Sequence, residues 1–96
     1  MKTPESYEKV EIKKHLDNIG AWHFSPYMAG FGRSGVPDIV ACYRGKFIGI
    51  EVKREGKILT KLQLHCLEAI KTAGGWALWG TAEKVIAEIE RLRHGQ

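Results

Sequence analysis

The sequence predicts an α/β domain with elements in the order α-β-β-β-α-β-α, a mixed sheet flanked by helices. Three observations lead there. Apolar residues recur at helical spacing near both ends, as Ile12, Leu16 and Ile19 and again as Val85, Ile86, Ile89 and Leu92. β-Branched runs flank a tight Arg44-Gly45 turn. Thr60 and Thr81 stand where helix N-caps belong.

Taken in order, the first helix opens at Pro4, which suits a first-turn position, with Thr3 as its cap; Gly20 stops it. Residues 21–27 are apolar and aromatic and read as a strand. Residues 28–37 hold Gly30, Gly32 and Gly35 around Arg33 and Ser34, which reads as a loop. Strands over 38–43 and 46–53 form a hairpin about Arg44-Gly45. After a polar turn over 54–59, Thr60 starts a helix to about Ala73, with Leu64, Leu67 and Ile70 expected to face inward and Gly74-Gly75 ending it. Residues 76–79 make a fourth strand, and the helix after Thr81 closes the chain.

Composition narrows the function classes. The 96 residues are 44% hydrophobic and 27% charged, without repeats or biased tracts, which predicts one domain over 1–96. A domain of this size buries only about two-thirds of its unfolded surface, so its core is modest. The uncharged stretch 21–32 is broken by His23, Pro26 and glycines, too short and too interrupted for a spanning helix of about 20 apolar residues. The first residues lack the apolar run of a signal peptide, so a cytosolic protein is expected, with no membrane partner. Cys42 and Cys66 form no C-x-x-C pair and are expected as reduced core residues. The four histidines lack metal-ligand spacing, and Trp22, Trp76 and Trp79 are expected to pack. A net charge of +4 suits a phosphate-backbone partner without requiring one.

One constellation carries chemistry. Gly35-Val36-Pro37-Asp38 opens the second strand, and Glu51-Val52-Lys53 closes the third. As hairpin partners they bring Asp38 and Glu51 side by side at the open end. Glu51 and Lys53, two apart, project from the same face. Hard cations such as Mg²⁺ need only one or two carboxylates, and the Val52 carbonyl is a natural extra ligand. Such a cation with a nearby lysine is the equipment of phosphodiester hydrolysis. Singly, Asp after Pro is common in turns and Glu-x-Lys is common as a solvated ion pair. Charge set within Ile48-Gly49-Ile50-Glu51-Val52, however, is costly unless it serves a purpose.

These residues, with Leu59-Thr60 and Gln63 three positions later, resemble the VRR-NUC branch of the PD-(D/E)XK nuclease superfamily. The similarity runs from the first helix to the Trp76 strand. The acid and lysine pattern alone is weakly specific; the run Arg33-Ser34-Gly35-Val36-Pro37-Asp38 together with Thr60-x-x-Gln63 makes the match a specific one. The resemblance implies a restriction-endonuclease-like core and Mg²⁺- or Mn²⁺-dependent cleavage of DNA. It implies that Asp38 and Glu51 bind metal, that Lys53 assists the attacking water, and that Gln63 reaches the same site. It also implies a first-helix glutamate near the metal; by helical angle Glu8 is expected there before Glu11. Arg33, Ser34, Arg44, Lys46, Arg54 and Lys57 are the expected DNA contacts. Structure-selective cutting of branched, flap or four-way junction DNA is expected, by a two-fold homodimer that cuts both strands, with a helicase or other replication or repair protein as a possible partner. The competing reading is a non-catalytic DNA-binding module that keeps the fold; such a module would be expected to have lost an acid or the lysine, and all three are present. A sequence-specific restriction-like enzyme would be expected to carry an added recognition region.

Overall fold

The computed structural model describes residues 4–26 and 35–95. The elements are α1 (Pro4–Asn18), β1 (Trp22–Phe24), β2 (Ile39–Tyr43), β3 (Lys46–Val52), α2 (Lys61–Thr72), β4 (Trp76–Gly80) and α3 (Ala82–Arg93). This is the order read from the sequence. Thr3 lies outside the described residues, as do Arg33, Ser34 and the rest of 27–34, where a loop was expected. The first strand stops at Phe24, short of its expected end, ahead of Pro26, which has no N–H for a ladder.

The β2–β3 hairpin sets the geometry of everything else. Arg44 (φ 50°) and Gly45 (φ 84°) both occupy the left-handed region, the signature of a two-residue type I′ turn whose twist suits antiparallel strands. From that turn the register runs from Tyr43 opposite Lys46 to Ile39 opposite Ile50. β1 pairs antiparallel on the far side of β2, and β4, reached through α2, pairs parallel with β3. The order β1-β2-β3-β4 leaves β1 and β4 at the edges.

The two faces of this sheet differ in character. On one, Ile39, Ala41, Ile48, Ile50, Val52 and Leu78 pack with Ile12 and Leu16 of α1 and Val85 and Ile89 of α3 into a single apolar core. Two polar contacts tie α1 to α3 over it. Glu8 Oε1 accepts the Ala82 N–H at 2.6 Å, and His15 Nε2 lies 2.7 Å from Glu90 Oε2. On the other face α2 lies across β3 and β4. Gly49 allows this approach, because a Cβ there would come within 2.7 Å of Ile70 Cδ1 and 3.1 Å of Pro37 Cγ.

Because α2 covers only part of its face, three apolar expectations fail, those for Leu64, Cys42 and Trp22. Leu67 is buried and Ile70 is half-buried, but Leu64 is 49% exposed. The inward face of α2 runs through Gln63, Leu67 and Ile70, and Leu64 stands about 100° from Gln63 around the helix. Cys42 is exposed rather than in the core, since it alternates away from Ala41 onto the face that α2 leaves open. Trp22 and Phe24, register partners of Cys42 and Val40, are exposed beside it. No helix among the described residues is long and apolar enough to cross a membrane.

Gly35 and Gly45 make a test of these constraints. Both have positive φ, but a Cβ at Gly35 would lie 2.7 Å from the Leu62 carbonyl oxygen, while one at Gly45 meets nothing within 4 Å. Gly35→Ala is expected to cost about 2–3 kcal/mol, from strain plus overlap with α2 backbone, and Gly45→Ala about 1 kcal/mol. Urea denaturation of both variants checks the difference; equal costs would mean that the Gly35 approach to α2 is loose.

Candidate active site

One step beyond the last β2–β3 pair, the register sets Asp38 opposite Glu51. The juxtaposition foreseen for the open end of the hairpin is therefore met. Asp38 Oδ2 accepts the Val52 N–H at 2.9 Å, which continues the ladder through a side chain and fixes the carboxylate at the strand's end. Because the N–H and C=O of a strand residue point the same way, the Val52 carbonyl is also directed toward Asp38. Lys53 N donates instead to Gly80 O at 2.8 Å, so its side chain stands on Glu51's face of the sheet.

Glu51 is the buried acid of the site, 4% exposed. Its Oε2 accepts from Gln63 Nε2 at 2.9 Å. The same amide's Oε1 accepts the Thr60 N–H at 2.9 Å, while Thr60 Oγ1 accepts the Gln63 N–H at 3.2 Å. Gln63 thus closes a capping box at the start of α2 and holds Glu51 with the group left over. A helix start has become a positioning device.

Burial pushes the Glu51 carboxyl up to about 8, helped by the charge of Asp38 and by a hydrogen bond that the protonated Glu51 donates to Asp38; Lys53 opposes the rise and Glu5 adds to it. Two carboxylates held this close cannot both ionise cheaply without a cation between them. Asp38 pairs with Lys9, whose Nζ lies 3.9 Å from Oδ1.

The first helix therefore presents Glu5 and Lys9 to this corner, and neither was singled out in the sequence. The expected Glu8 is instead held at the N-terminus of α3, where the helix dipole and the Ala82 N–H favour a carboxylate. Glu11 is at the surface near Lys14. The signal for Glu5 was present: it lies seven residues before Ile12, within about 20° of it around the helix.

Of the expected DNA contacts, Arg54 and Lys57 follow Lys53 and line a cleft of about 430 Å³ with it. Arg44 and Lys46 sit at the turn end of the hairpin, about 17–20 Å from the acids at about 3.3 Å per residue. Lys46 Nζ donates to Gly74 O at 3.0 Å, and Arg44 lies over the Tyr43 ring. They do not flank the acids, contrary to expectation. Arg33 and Ser34 fall outside the described residues.

The donor set suits a hard divalent cation. Among the described residues no three His, Cys, Asp or Glu side chains cluster as metal ligands. Mg²⁺ needs no such cluster: two carboxylates and a carbonyl suffice, with water and phosphate oxygens completing the shell. The raised Glu51 pKa fits the same picture, since a site built for a cation is short of positive charge without one.

A raised carboxyl pKa means that the folded chain holds a proton the unfolded chain has released. Without divalent metal, the stability contributed by Glu51 is complete below about pH 4.5 and is lost as pH rises through about 8. Denaturant titrations in chelator should therefore show wild-type stability falling across that interval relative to Glu51→Gln. Mn²⁺ at pH 8 should restore wild type and leave Glu51→Gln less affected. Parallel pH profiles for the two proteins would show that Glu51 is not strained.

No protein-family model matches the sequence, and no curated protein matches it either. Solved structures do. A VRR_NUC domain superposes with a TM-score of 0.78 at 23% identity, covering 99% of this chain and 100% of the other. A VRR_NUC domain protein superposes with a TM-score of 0.72 at 20% identity, covering 94% and 87%. From its first helix to its last, the chain has the fold of a VRR_NUC domain.

Proposed function

We propose that this protein is a metal-dependent endonuclease that hydrolyses DNA phosphodiester bonds, selecting its substrate by branched, flap or junction structure. The observation that carries the reading is the buried Glu51 set opposite Asp38 at the end of the hairpin, with Lys53 on the same face. The shared VRR_NUC fold supports it.

Asp38, Glu51 and the Val52 carbonyl would hold Mg²⁺ or Mn²⁺. When bound, the cation would polarise the scissile phosphoryl oxygen and make water a stronger nucleophile. Gln63 keeps the Glu51 carboxylate turned toward Asp38. Lys53 would orient the attacking water and offset charge gathering on the phosphate oxygens. Lys9 balances Asp38 at the surface side. Arg54 and Lys57 would engage backbone phosphates, as would Arg33 and Ser34. Cutting both strands of a symmetric junction needs two such sites, so we propose a two-fold homodimer, acting inside the cell, with a helicase or another replication or repair protein as a possible companion.

The test uses a labelled four-way junction, a flap and a linear duplex with Mg²⁺, Mn²⁺ or EDTA. Wild type is expected to cut a branched substrate with either metal and none in EDTA. Asp38→Ala and Lys53→Ala should each lose at least about 100-fold in rate while still binding DNA. Binding without cleavage of any substrate by wild type would favour the non-catalytic binding module. Light scattering should give a mass of two chains; a monomer at assay concentration that still resolves junctions would overturn the dimer.

A further inference from the structure

The cleft of about 430 Å³ that Lys53 lines beside the proposed catalytic corner includes one aromatic side chain, Trp79. Trp79 lies opposite Glu51 in the β3–β4 register and shares that cleft with Lys53. Among the described residues β4 is an edge strand of the sheet. The ring also lines a second depression of about 190 Å³ at that edge, so it is reachable from two sides. Lys84, from the first turn of α3, places Nζ 4.0 Å from the ring centroid.

Two details make this arrangement more than helix packing. Gly80 has no side chain, and a Cβ there would come within 2.8 Å of Lys84 Cδ. The bare backbone is what lets the lysine stem cross the end of β4 and reach the tryptophan. Moreover, Glu88, one helical turn on and the ordinary partner for Lys84, is bound to Arg91 instead. The ammonium therefore rests on the ring face. Lys53, Arg54, Lys57 and Lys84 line the cleft against Glu55 and Glu83, which leaves it basic. Its volume is within the range of small-ligand pockets.

Resting on the nuclease reading, we propose that Trp79 and Lys84 form a binding site for an unpaired nucleotide of the DNA strand next to the scissile phosphate. Lys84 moves from the half-buried ring to a backbone phosphate, and the indole face that it vacates takes the base. An ammonium on an aromatic face at an exposed position is only weakly held, which leaves Lys84 able to exchange the ring for a phosphate. Stacking on one aromatic side chain is worth about 1–3 kcal/mol per base and is indifferent to base identity. Paired bases already stack on one another and gain nothing from the ring. The pair therefore favours substrates with single-stranded segments beside the cut, such as flaps.

The experiment measures binding of a 12-nucleotide oligothymidylate and a 12-base-pair duplex by fluorescence anisotropy in EDTA, across a salt series, together with flap cleavage in Mn²⁺. Trp79→Leu should weaken oligothymidylate binding about 5- to 100-fold and change duplex binding less than about twofold. Trp79→Phe should restore most of the loss. Lys84→Gln, at an exposed position that does not endanger folding, should reduce the salt slope for the single strand by about 0.7. Wild-type binding and slope in both variants, beside a wild type that cuts flaps, would overturn this site and leave the nuclease standing. Equal losses for single strand and duplex in Trp79→Leu, unrescued by phenylalanine, would reduce Trp79 to packing and overturn it also. A wild type that binds neither ligand and cuts nothing would overturn the nuclease reading itself, and this site with it.

Discussion

A carboxylate removed from water at the end of a strand is costly unless something nearby compensates it. Glu51 is such a group, and the surrounding arrangement answers that cost. Its neighbours supply one hydrogen bond from Gln63, a shared proton with Asp38 and the positive charge of Lys53. They do not neutralise it. A second carboxylate directly across the hairpin makes the deficit of positive charge worse, and that deficit is what a divalent cation would fill. An ion pair made for stability would have the opposite composition, a carboxylate matched to a cation with no acid opposite.

The surrounding elements each give this corner one fixed contact. The β2–β3 ladder ends on Asp38 through the Val52 N–H, so the first acid is held by main chain. The capping box of α2 spends its Gln63 twice, once on its own N-terminus and once on Glu51. Gly35 and Gly49 let the chain before Asp38 and the body of α2 approach closely enough for that contact to form. None of these restraints comes from the apolar core. The core, on the opposite face, supplies the rigid sheet, and the polar contacts supply the aim.

Much of this could be read from the sequence, because it depends on local chemistry. A glycine turn with β-branched flanks fixes a hairpin, and a hairpin fixes which residues face each other; Asp38, Glu51 and Lys53 follow. Thr60 and Gln63 at capping-box spacing gave the start of α2, and their likeness to a known motif pointed Gln63 at the site. What could not be read depends on how whole elements lie against one another. Glu8 and Glu5 both fall near the buried stripe of α1. Only the position of α3, whose first N–H takes Glu8, decides that Glu5 is left for the corner. Leu64 and Cys42 look like core residues by type, yet α2 lies over β3 and β4 and leaves both exposed. Arg44 and Lys46 are near the site in sequence terms and remote from it along the strands.

Strand alternation ties the two faces together. Along β3, Ile48, Ile50 and Val52 enter the core while Gly49 and Glu51, and Lys53 just past the strand's end, take the other side. A register shift of one residue between β2 and β3 would bury Glu51 among the leucines and isoleucines and turn Val52 out toward α2. The hydrophobic pattern therefore protects the placement of the acids, since the slipped pairing loses both at once. What selects the correct register is the Arg44-Gly45 turn, whose paired positive φ angles admit one two-residue connection. The far end of the hairpin, with no part in the chemistry, thus decides whether Asp38 meets Glu51 at all.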